Sequence, residues 1–133
     1  MRNETRGEVG GRRLVLMDSI SLIDAGDAGA IVVSGSHGGP ISAAFARLHP
    51  PHFVAFNDAG GGKADAGRAA LALLDEAGIA CVTIGHETAR IGDAADGWQN
   101  GIVSGVGRCA GAHGVQLGQT LRDAVATFLA APA

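Results

Sequence analysis

The sequence predicts a single α/β domain with a mostly parallel sheet. Apolar runs of strand length alternate with helix-like segments between residues 30 and 84. The run at 53–56 is apolar at every position, which is typical of strands buried on both faces of a parallel sheet. Clusters of glycine and reactive residues follow three of the runs directly. We therefore expect a three-layer, Rossmann-like domain of about four strands, with the clusters gathered at one edge of the sheet.

The first strand is predicted at residues 14–17, after a charged stretch. Only about a dozen residues separate it from the next strand, which is short for a parallel crossover containing a full helix. Two arrangements stay open for this strand: an antiparallel edge, or a strand joined to the next by one short helical turn. Residues 1–13 are charged and contain glycines, so we expect a flexible N-terminal segment ahead of a single α/β domain at 14–133.

The next two strands are predicted at residues 30–33 and 53–56, with a helix at 41–48 between them. Pro40 favours the start of this helix, because its fixed φ and missing N–H are tolerated in a first turn. The two prolines that follow His49 end it.

Later elements alternate in the same way, which indicates consecutive βαβ units. The long polar loop, which carries Trp98, is of a kind that often forms a lid or a binding loop. The predictions are a helix at 64–77, a strand at 79–84, the loop at 87–100, a small-residue-rich helix at 102–112 and an amphipathic helix at 119–131.

Composition excludes several classes of partner. The formal net charge is −3, which supplies no positive field to attract nucleic acid or an anionic membrane. Apolar stretches fall far short of the ~18 residues that cross a bilayer, and no signal peptide is recognisable. Cys81 and Cys109 fit buried thiols in a reducing compartment. We expect a cytoplasmic protein.

Glycine is unusually frequent, at 22 of 133 residues. Many of these glycines cluster directly after the predicted strands, where tight turns and close approach of a ligand to the backbone need residues without Cβ. We therefore interpret them as the geometry of loops around a site.

The first cluster, residues 34–39, has the composition of an anion cradle. It lies between a predicted strand and a predicted helix, so backbone N–H groups and the helix N-terminus would favour a phosphate, a carboxylate or an oxyanion. Ser36 is a candidate nucleophile and His37 a candidate acid or base. The alternative is a tight turn with a histidine at its rim. The predicted ligand-binding residues are Ser34, Gly35, Gly38 and Gly39.

The second cluster, residues 57–63, is rich in glycine but matches no phosphate-binding motif. Asn57 and Ala64 stand where a Walker A loop needs a glycine and a Ser or Thr, and the dinucleotide fingerprint lacks its last glycine. Asp58 is the candidate catalytic carboxylate. It would act as a general base, orient a histidine, or cap its own loop. The predicted ligand-binding residues are Asn57, Gly60, Gly61 and Lys63.

The third cluster begins at His86, a candidate catalytic acid or base after the fourth predicted strand. Thr88 and Arg90 are predicted to bind the ligand, since an arginine can hold a carboxylate or phosphate with two hydrogen bonds. The alternative for Arg90 is a surface ion pair with Asp93 or Asp96.

The remaining histidines, His49, His52 and His113, lie away from the predicted strand ends, and we interpret them as incidental. His37, Asp58 and His86 are of types that bind zinc, but their spacing is not diagnostic. A nucleophile elbow is absent in its proper context. We predict neither a metal site nor a cofactor.

These observations predict a small, cofactor-independent enzyme of the hydrolase, lyase or isomerase type. Its substrate would be a compact anionic or amide-containing metabolite, and its main partner a small anionic molecule. Two alternatives stay open: a non-catalytic module that binds a phosphate or nucleotide ligand, and a scaffold subunit. The Ala- and Gly-rich helices further lead us to expect a homo-oligomer.

Overall fold

A mixed β-sheet forms the centre of this α/β protein. In the part of the chain that the computed structural model describes, residues 3–61 and 63–131, the sheet has six strands in chain order. The three inner pairings are parallel and the two outer ones antiparallel. The strands are β1 (Asn3–Val9), β2 (Arg12–Met17), β3 (Ile31–His37), β4 (Phe53–Asn57), β5 (Ala80–Ile84) and β6 (Val103–Val106).

Helices pack on both faces of the sheet. The 3-10 helix Ile20–Leu22, α1 and α2 contribute to the core on one face, and α3 and α5 to the core on the other. The α-helices are α1 (Pro40–Leu48), α2 (Ala69–Glu76), α3 (Ala94–Asn100), α4 (Arg108–Gly111) and α5 (Leu121–Ala130). Two further 3-10 helices span Ala25–Asp27 and Lys63–Arg68. No helix in the described part of the chain is long and apolar enough to cross a membrane.

Strand residues are buried on alternate faces, as the pleat of a sheet requires. In β4, Val54 packs in the cluster that contains Leu74 of α2, whereas Phe53 packs in the cluster that contains Phe128 of α5. Every residue of β4 and β5 is buried. These two strands therefore form a rigid centre, and the residues that follow them are held in fixed positions.

The first predicted strand, residues 14–17, lies inside the sheet rather than at its edge. β2 is parallel to β3, and two short 3-10 helices make the connection. The prediction of an antiparallel edge for this strand was therefore wrong, and the open alternative of a short helical crossover is found. The antiparallel edge is β1, which the charged sequence of residues 1–13 did not reveal because an edge strand can be polar.

Two of the predicted helices are confirmed, and other predicted elements differ from the structure. The helices at 41–48 and 119–131 are confirmed by α1 and α5. The helix predicted at 64–77 divides into the 3-10 helix Lys63–Arg68 and α2. The loop predicted at 87–100 contains α3, which begins after Asp93, whose side chain accepts a hydrogen bond from the backbone N–H of Asp96.

The helix predicted at 102–112 was wrong, because residues 103–106 form the antiparallel strand β6 and only Arg108–Gly111 are helical. The estimate of about four strands was therefore too low, since it omitted both antiparallel edges, β1 and β6. The count of small residues suggested close helix packing, but the structure shows the alternating burial of a strand. Val103 and Gly105 are buried while the residues after each of them are half-buried.

Candidate functional site

A cavity of about 320 Å³ lies at the carboxyl-terminal edge of β4 and β5. These strands are parallel and end in register, with Asn57 opposite Ile84, so the residues that follow them meet at one edge. The backbone N–H of Asp58 donates to the carbonyl of Ile84 over 2.9 Å. The cavity is lined by Asp58, Gly60, Arg68, Gly85, His86, Glu87, Thr88, Ile102, Val103 and Ser104.

The carboxylate of Asp58 is buried at this edge, with 3% of its side chain exposed. Its Oδ1 accepts hydrogen bonds from the backbone N–H groups of Gly60 (2.8 Å) and His86 (3.1 Å). Its Oδ2 accepts from the hydroxyl of Ser104 (2.7 Å) and from the guanidinium of Arg68 (3.0 Å). Four donors therefore compensate the burial of one negative charge.

These contacts determine the charge of Asp58. Burial by itself would raise the pKa of this carboxyl, but the hydrogen bonds from Ser104 and the two backbone N–H groups, together with the charge of Arg68, outweigh it. The pKa of Asp58 is consequently held below its ordinary value. A carboxylate with a low pKa is a weak proton acceptor, so Asp58 is better suited to orient its neighbours than to act as a general base.

His86 has its ring beside Asp58 and half of its side chain exposed. Its Nδ1 lies 3.5 Å from Oδ1 of Asp58, which is longer than a good hydrogen bond but places a carboxylate behind the imidazole. In the tautomer with a proton on Nδ1, that nitrogen is the one beside the carboxylate and Nε2 is the acceptor. The histidine therefore has the arrangement of an acid–base group oriented by a carboxylate.

Gly60 provides the room for this ring. A Cβ at Gly60 would lie 3.3 Å from Cε1 of His86, which is tighter than ordinary packing, and 3.5 Å from its Nδ1. The φ of Gly60 is +75°, a conformation that disfavours any residue with a side chain. The loop after β4 thus needs glycine here for both its turn and its histidine neighbour.

A second hydroxyl lies behind Ser104. Oγ1 of Thr83, which is fully buried on β5, lies 3.1 Å from Oγ of Ser104. Because Ser104 donates to Asp58, Thr83 is the donor in this pair. A Cβ at Gly105 would lie 2.6 Å from the same Oγ1, so the glycine permits the close approach of β6. Two successive hydroxyl donors therefore lead from β5 through the edge strand β6 to the carboxylate.

Arg68 connects two carboxylates. Its Nη2 donates to Asp58 over 3.0 Å and its Nη1 to Asp65 over 2.6 Å. The hydrogen bond to Asp65 contributes most to raising the pKa of Arg68 above its ordinary value. Glu87 also lines the cavity. Among the described side chains at this site, two carboxylates thus pair with one guanidinium and Glu87 adds a further negative charge at the lining, so the balance of fixed charge is negative.

Other segments of the chain pack against residues 34–39, the predicted anion cradle. The carbonyl of Gly35 accepts a hydrogen bond of 2.7 Å from the N–H of Gly92, and a Cβ at Gly35 would lie 2.6 Å from the carbonyl carbon of Gly92. Oγ of Ser34 accepts from the N–H of Ser36, and Oγ of Ser36 accepts from the N–H of Ile20. Internal packing accounts for these small residues, and their role toward a ligand stays a prediction.

His37 lies apart from the cavity at Asp58. It is exposed at the end of β3, and its Nε2 would lie 2.7 Å from a Cβ at Gly39. Gly38 donates its N–H to the carbonyl of Asn57, which joins this segment to β4. Neither His37 nor Ser36 is among the described residues that line the cavity, whereas Asp58 and His86 both are.

Two of the predicted ligand-binding side chains connect loops. The amide of Asn57 donates to the carbonyl of Ala89 over 2.9 Å, and it is buried. The hydroxyl of Thr88 donates to the carbonyl of Gly85 (2.7 Å) and accepts from the N–H of Ile102 (3.1 Å). Thr88 also lines the cavity, so its hydroxyl fixes one wall of the site.

Gly61, Arg90 and Lys63 complete the set of predicted ligand-binding residues. A Cβ at Gly61, whose φ is +89°, would lie 2.7 Å from the carboxylate of Asp65. Arg90 is exposed, and its backbone N–H donates to Asp96, so the predicted pairing is made by the main chain. The side chain of Lys63 lies outside the described residues.

Six lining residues were not predicted as functional, and three of them have polar side chains: Arg68, Glu87 and Ser104. Ser104 was assigned to a helix, and only the alternation of β6 could have placed it beside a strand end. Arg68 lies ten residues after Asp58, within a predicted helix, and carries no local signal of its role.

Within residues 3–61 and 63–131, no group of three His, Cys, Asp or Glu side chains is arranged to hold a metal ion. Comparisons with protein-family models, with curated proteins and with solved structures found no match to this chain.

Proposed function

We propose that this chain is a small, cofactor-independent enzyme that performs acid–base chemistry on a compact, uncharged, amide-containing metabolite. The observation that carries the proposal is the placement of His86 beside the buried, ionised carboxylate of Asp58 at a strand-end cavity. Perturbed ionisable groups that converge in a cavity of this kind are typical of active sites.

His86 is the acid–base residue of the proposed reaction. In amide hydrolysis, Nε2 would accept a proton from water as the water oxygen bonds to the amide carbon. The imidazolium would then donate that proton to the amine nitrogen as the carbon–nitrogen bond breaks. Asp58 is the positioning residue, because its carboxylate lies beside Nδ1 of His86 and favours the tautomer with a proton on that nitrogen.

The charge of the cavity favours the amide over the anion among the substrates that the sequence suggests. Arg68 is already paired with Asp58 and with Asp65, and Glu87 is a second carboxylate at the lining beside Asp58. A substrate carboxylate or phosphate entering here would meet like charge, whereas an amide offers both donors and acceptors without a charge.

The size of the cavity also restricts the substrate. A volume of about 320 Å³ lies at the lower end of the range for small-molecule sites, which is roughly 300–1,000 Å³. The substrate class is therefore small amides, ureides and cyclic imides rather than peptides.

The test is a panel of such amides incubated with the full chain and followed by ¹H NMR for any chemical change. A converted compound is then assayed with His86→Gln and with the matched variant His37→Gln. We expect His86→Gln to lower kcat by about 10²–10⁴-fold with little change in KM, and His37→Gln to retain activity.

The opposite pattern would overturn the proposal. If panel compounds bind without conversion, and His86→Gln changes only their affinity, the chain is a binding module. If His37→Gln abolishes turnover while His86→Gln does not, the reaction takes place away from the cavity at Asp58.

A further inference from the structure

A second cavity, of about 650 Å³, lies at the opposite ends of the central strands, where β4 and β5 begin. Its lining includes His52, which directly precedes β4, and Gly78, which lies two positions before the first residue of β5. His52 and Asp58 are separated by the length of β4, which is about 20 Å for an extended strand. The two cavities therefore lie at opposite ends of the same buried strands.

Two imidazoles pack around one phenyl ring in this cavity. The ring of His52 lies edge-on to Phe128 at a centroid distance of 5.2 Å, and the ring of His113 lies 4.8 Å from Phe128. Nδ1 of His113 lies 3.0 Å from the carbonyl of Cys109, so this nitrogen carries the proton. Phe128 fixes both rings, and both side chains line the cavity.

A guanidinium lines the same cavity as the two imidazoles. Arg12 lines the same cavity, and its Nη1 donates to the carbonyl of Gly29 over 3.1 Å. Burial is the largest cause that lowers the pKa of His52, and the positive charges of Arg12 and His113 lower it further. The cavity therefore brings one guanidinium and two imidazoles to a single lining.

The described part of the lining carries no acidic side chain. No Asp or Glu is among the described residues that line this cavity, although Asp75 lies behind it and accepts from the N–H of Cys109. The thiol of Cys109 is neutral, because burial raises its pKa and Asp75 raises it further. The apolar part of the wall consists of Phe128, Leu129 and alanines.

We propose that this cavity is a binding site for an amphipathic organic carboxylate. The carboxylate would bind Arg12 and His52, and a short alkyl chain or ring would lie against Phe128 and Leu129. The guanidinium supplies the planar donor pair that recognises carboxylates, and the apolar wall excludes a small inorganic anion as the preferred ligand. The proposal does not depend on the reaction proposed for the cavity at Asp58.

The test compares three probes of one length: hexanoate, 1-hexanol and hexylammonium. Binding to the full chain is measured by calorimetry, and the site is located by the ¹H–¹⁵N imidazole signals of His52, His113 and His86. We expect hexanoate to bind best, to shift the signals of His52 and His113, and to leave those of His86 unchanged. The pKa of His52 should rise when hexanoate binds.

Arg12→Gln is expected to weaken hexanoate binding by roughly tenfold or more. The matched variant is Arg13→Gln, because Arg13 follows on the same strand but bonds to the carbonyl of Gly26 and lies 3.9 Å from Asp27. Ala112→Phe, which fills the cavity from an exposed position, should block binding and leave the fold intact.

Three results would overturn the proposal. They are equal binding of 1-hexanol and hexanoate, equal losses of affinity for Arg12→Gln and Arg13→Gln, and hexanoate shifts at His86 rather than at His52. In the last case the carboxylate would occupy the other cavity, and the proposed preference of that cavity for uncharged amides would also fail.

Discussion

Ser104 donates a 2.7 Å hydrogen bond to Oδ2 of Asp58, although the two residues are 46 positions apart in the chain. The bond joins the edge strand β6 to the loop after β4 and passes beside the end of β5. The Ser104 hydroxyl binds Oδ2 of the carboxylate, whereas Gly60 in the loop of Asp58 binds Oδ1. The position of Asp58 therefore depends on an antiparallel edge strand as well as on the parallel centre of the sheet.

Ser104→Ala should raise the pKa of Asp58 toward its ordinary value and lower the free energy of unfolding by about 1–2 kcal/mol. The variant removes the strongest contribution that lowers this pKa. The carboxyl titration is followed by ¹³C NMR and the stability by urea unfolding. Ser21→Ala, at an exposed serine, is the control. An unchanged pKa in Ser104→Ala would show that the hydroxyl does not hold the carboxylate.

Asp58→Asn should lower the free energy of unfolding by about 2–4 kcal/mol at neutral pH, since it removes a charge with four hydrogen-bond donors. The folded pKa of Asp58 lies below the ordinary value of 3.8, so its contribution is complete above that pH and is lost as pH falls through the folded pKa. The difference between wild type and Asp58→Asn should therefore shrink on acidification. Urea unfolding between pH 7 and acid conditions measures it, and a constant difference would contradict the account.

Gly60→Ala should displace the ring of His86 in addition to straining the backbone. The matched control is Gly118→Ala, because Gly118 has a similar φ of +86° but no atom within 4 Å of the added Cβ. Both variants should lose about 1–2 kcal/mol of stability from the left-handed conformation. Only Gly60→Ala should shift the imidazole signals of His86. Equal spectra for the two variants would mean that Gly60 does not set the position of the ring.

Gly35→Ala should destabilise the protein by about 3 kcal/mol or more, because the new methyl group would lie 2.6–2.7 Å from backbone atoms that cannot move independently. Gly111→Ala is the control, since its nearest contact would be an ordinary 3.5 Å. Thermal unfolding compares the two. A mild effect at Gly35, together with stabilisation of the wild type by phosphate, would instead support an open anion cradle at residues 34–39.

The parallel centre of the fold could be predicted from the sequence, because its strands are continuous apolar runs that end in sharp changes of composition. β4 and β5 were found within about one residue at each end. The edges could not be predicted in the same way. β1 is charged and β6 is short and contains a glycine, so neither shows the apolar run that identifies a buried strand.

The contrast between buried central strands and edge strands also explains which residues of the candidate site could be predicted. Asp58 and His86 were identified because each follows a buried strand, and parallel neighbours bring such residues together. Ser104 approaches from an antiparallel edge, and Arg68 reaches Asp58 through a 3-10 turn, so neither follows from strand ends. The glycines at 34–39 were interpreted as room for a ligand, but at Gly35 the space is taken by the segment around Gly92. A glycine-rich composition indicates that another group packs closely against the backbone, but it does not show whether that group is a ligand or another segment of the chain.

The central claim is that Asp58 acts on the reaction through His86, and a double-mutant cycle on kcat tests it most directly. The cycle uses the first amide of the panel that is converted, with Asp58→Asn, His86→Gln and the double variant. If Asp58 orients His86, the double variant should be no slower than His86→Gln alone, because residues that act as a unit are not additive. Losses that multiply in the double variant would show that the two side chains act independently, and would contradict the account.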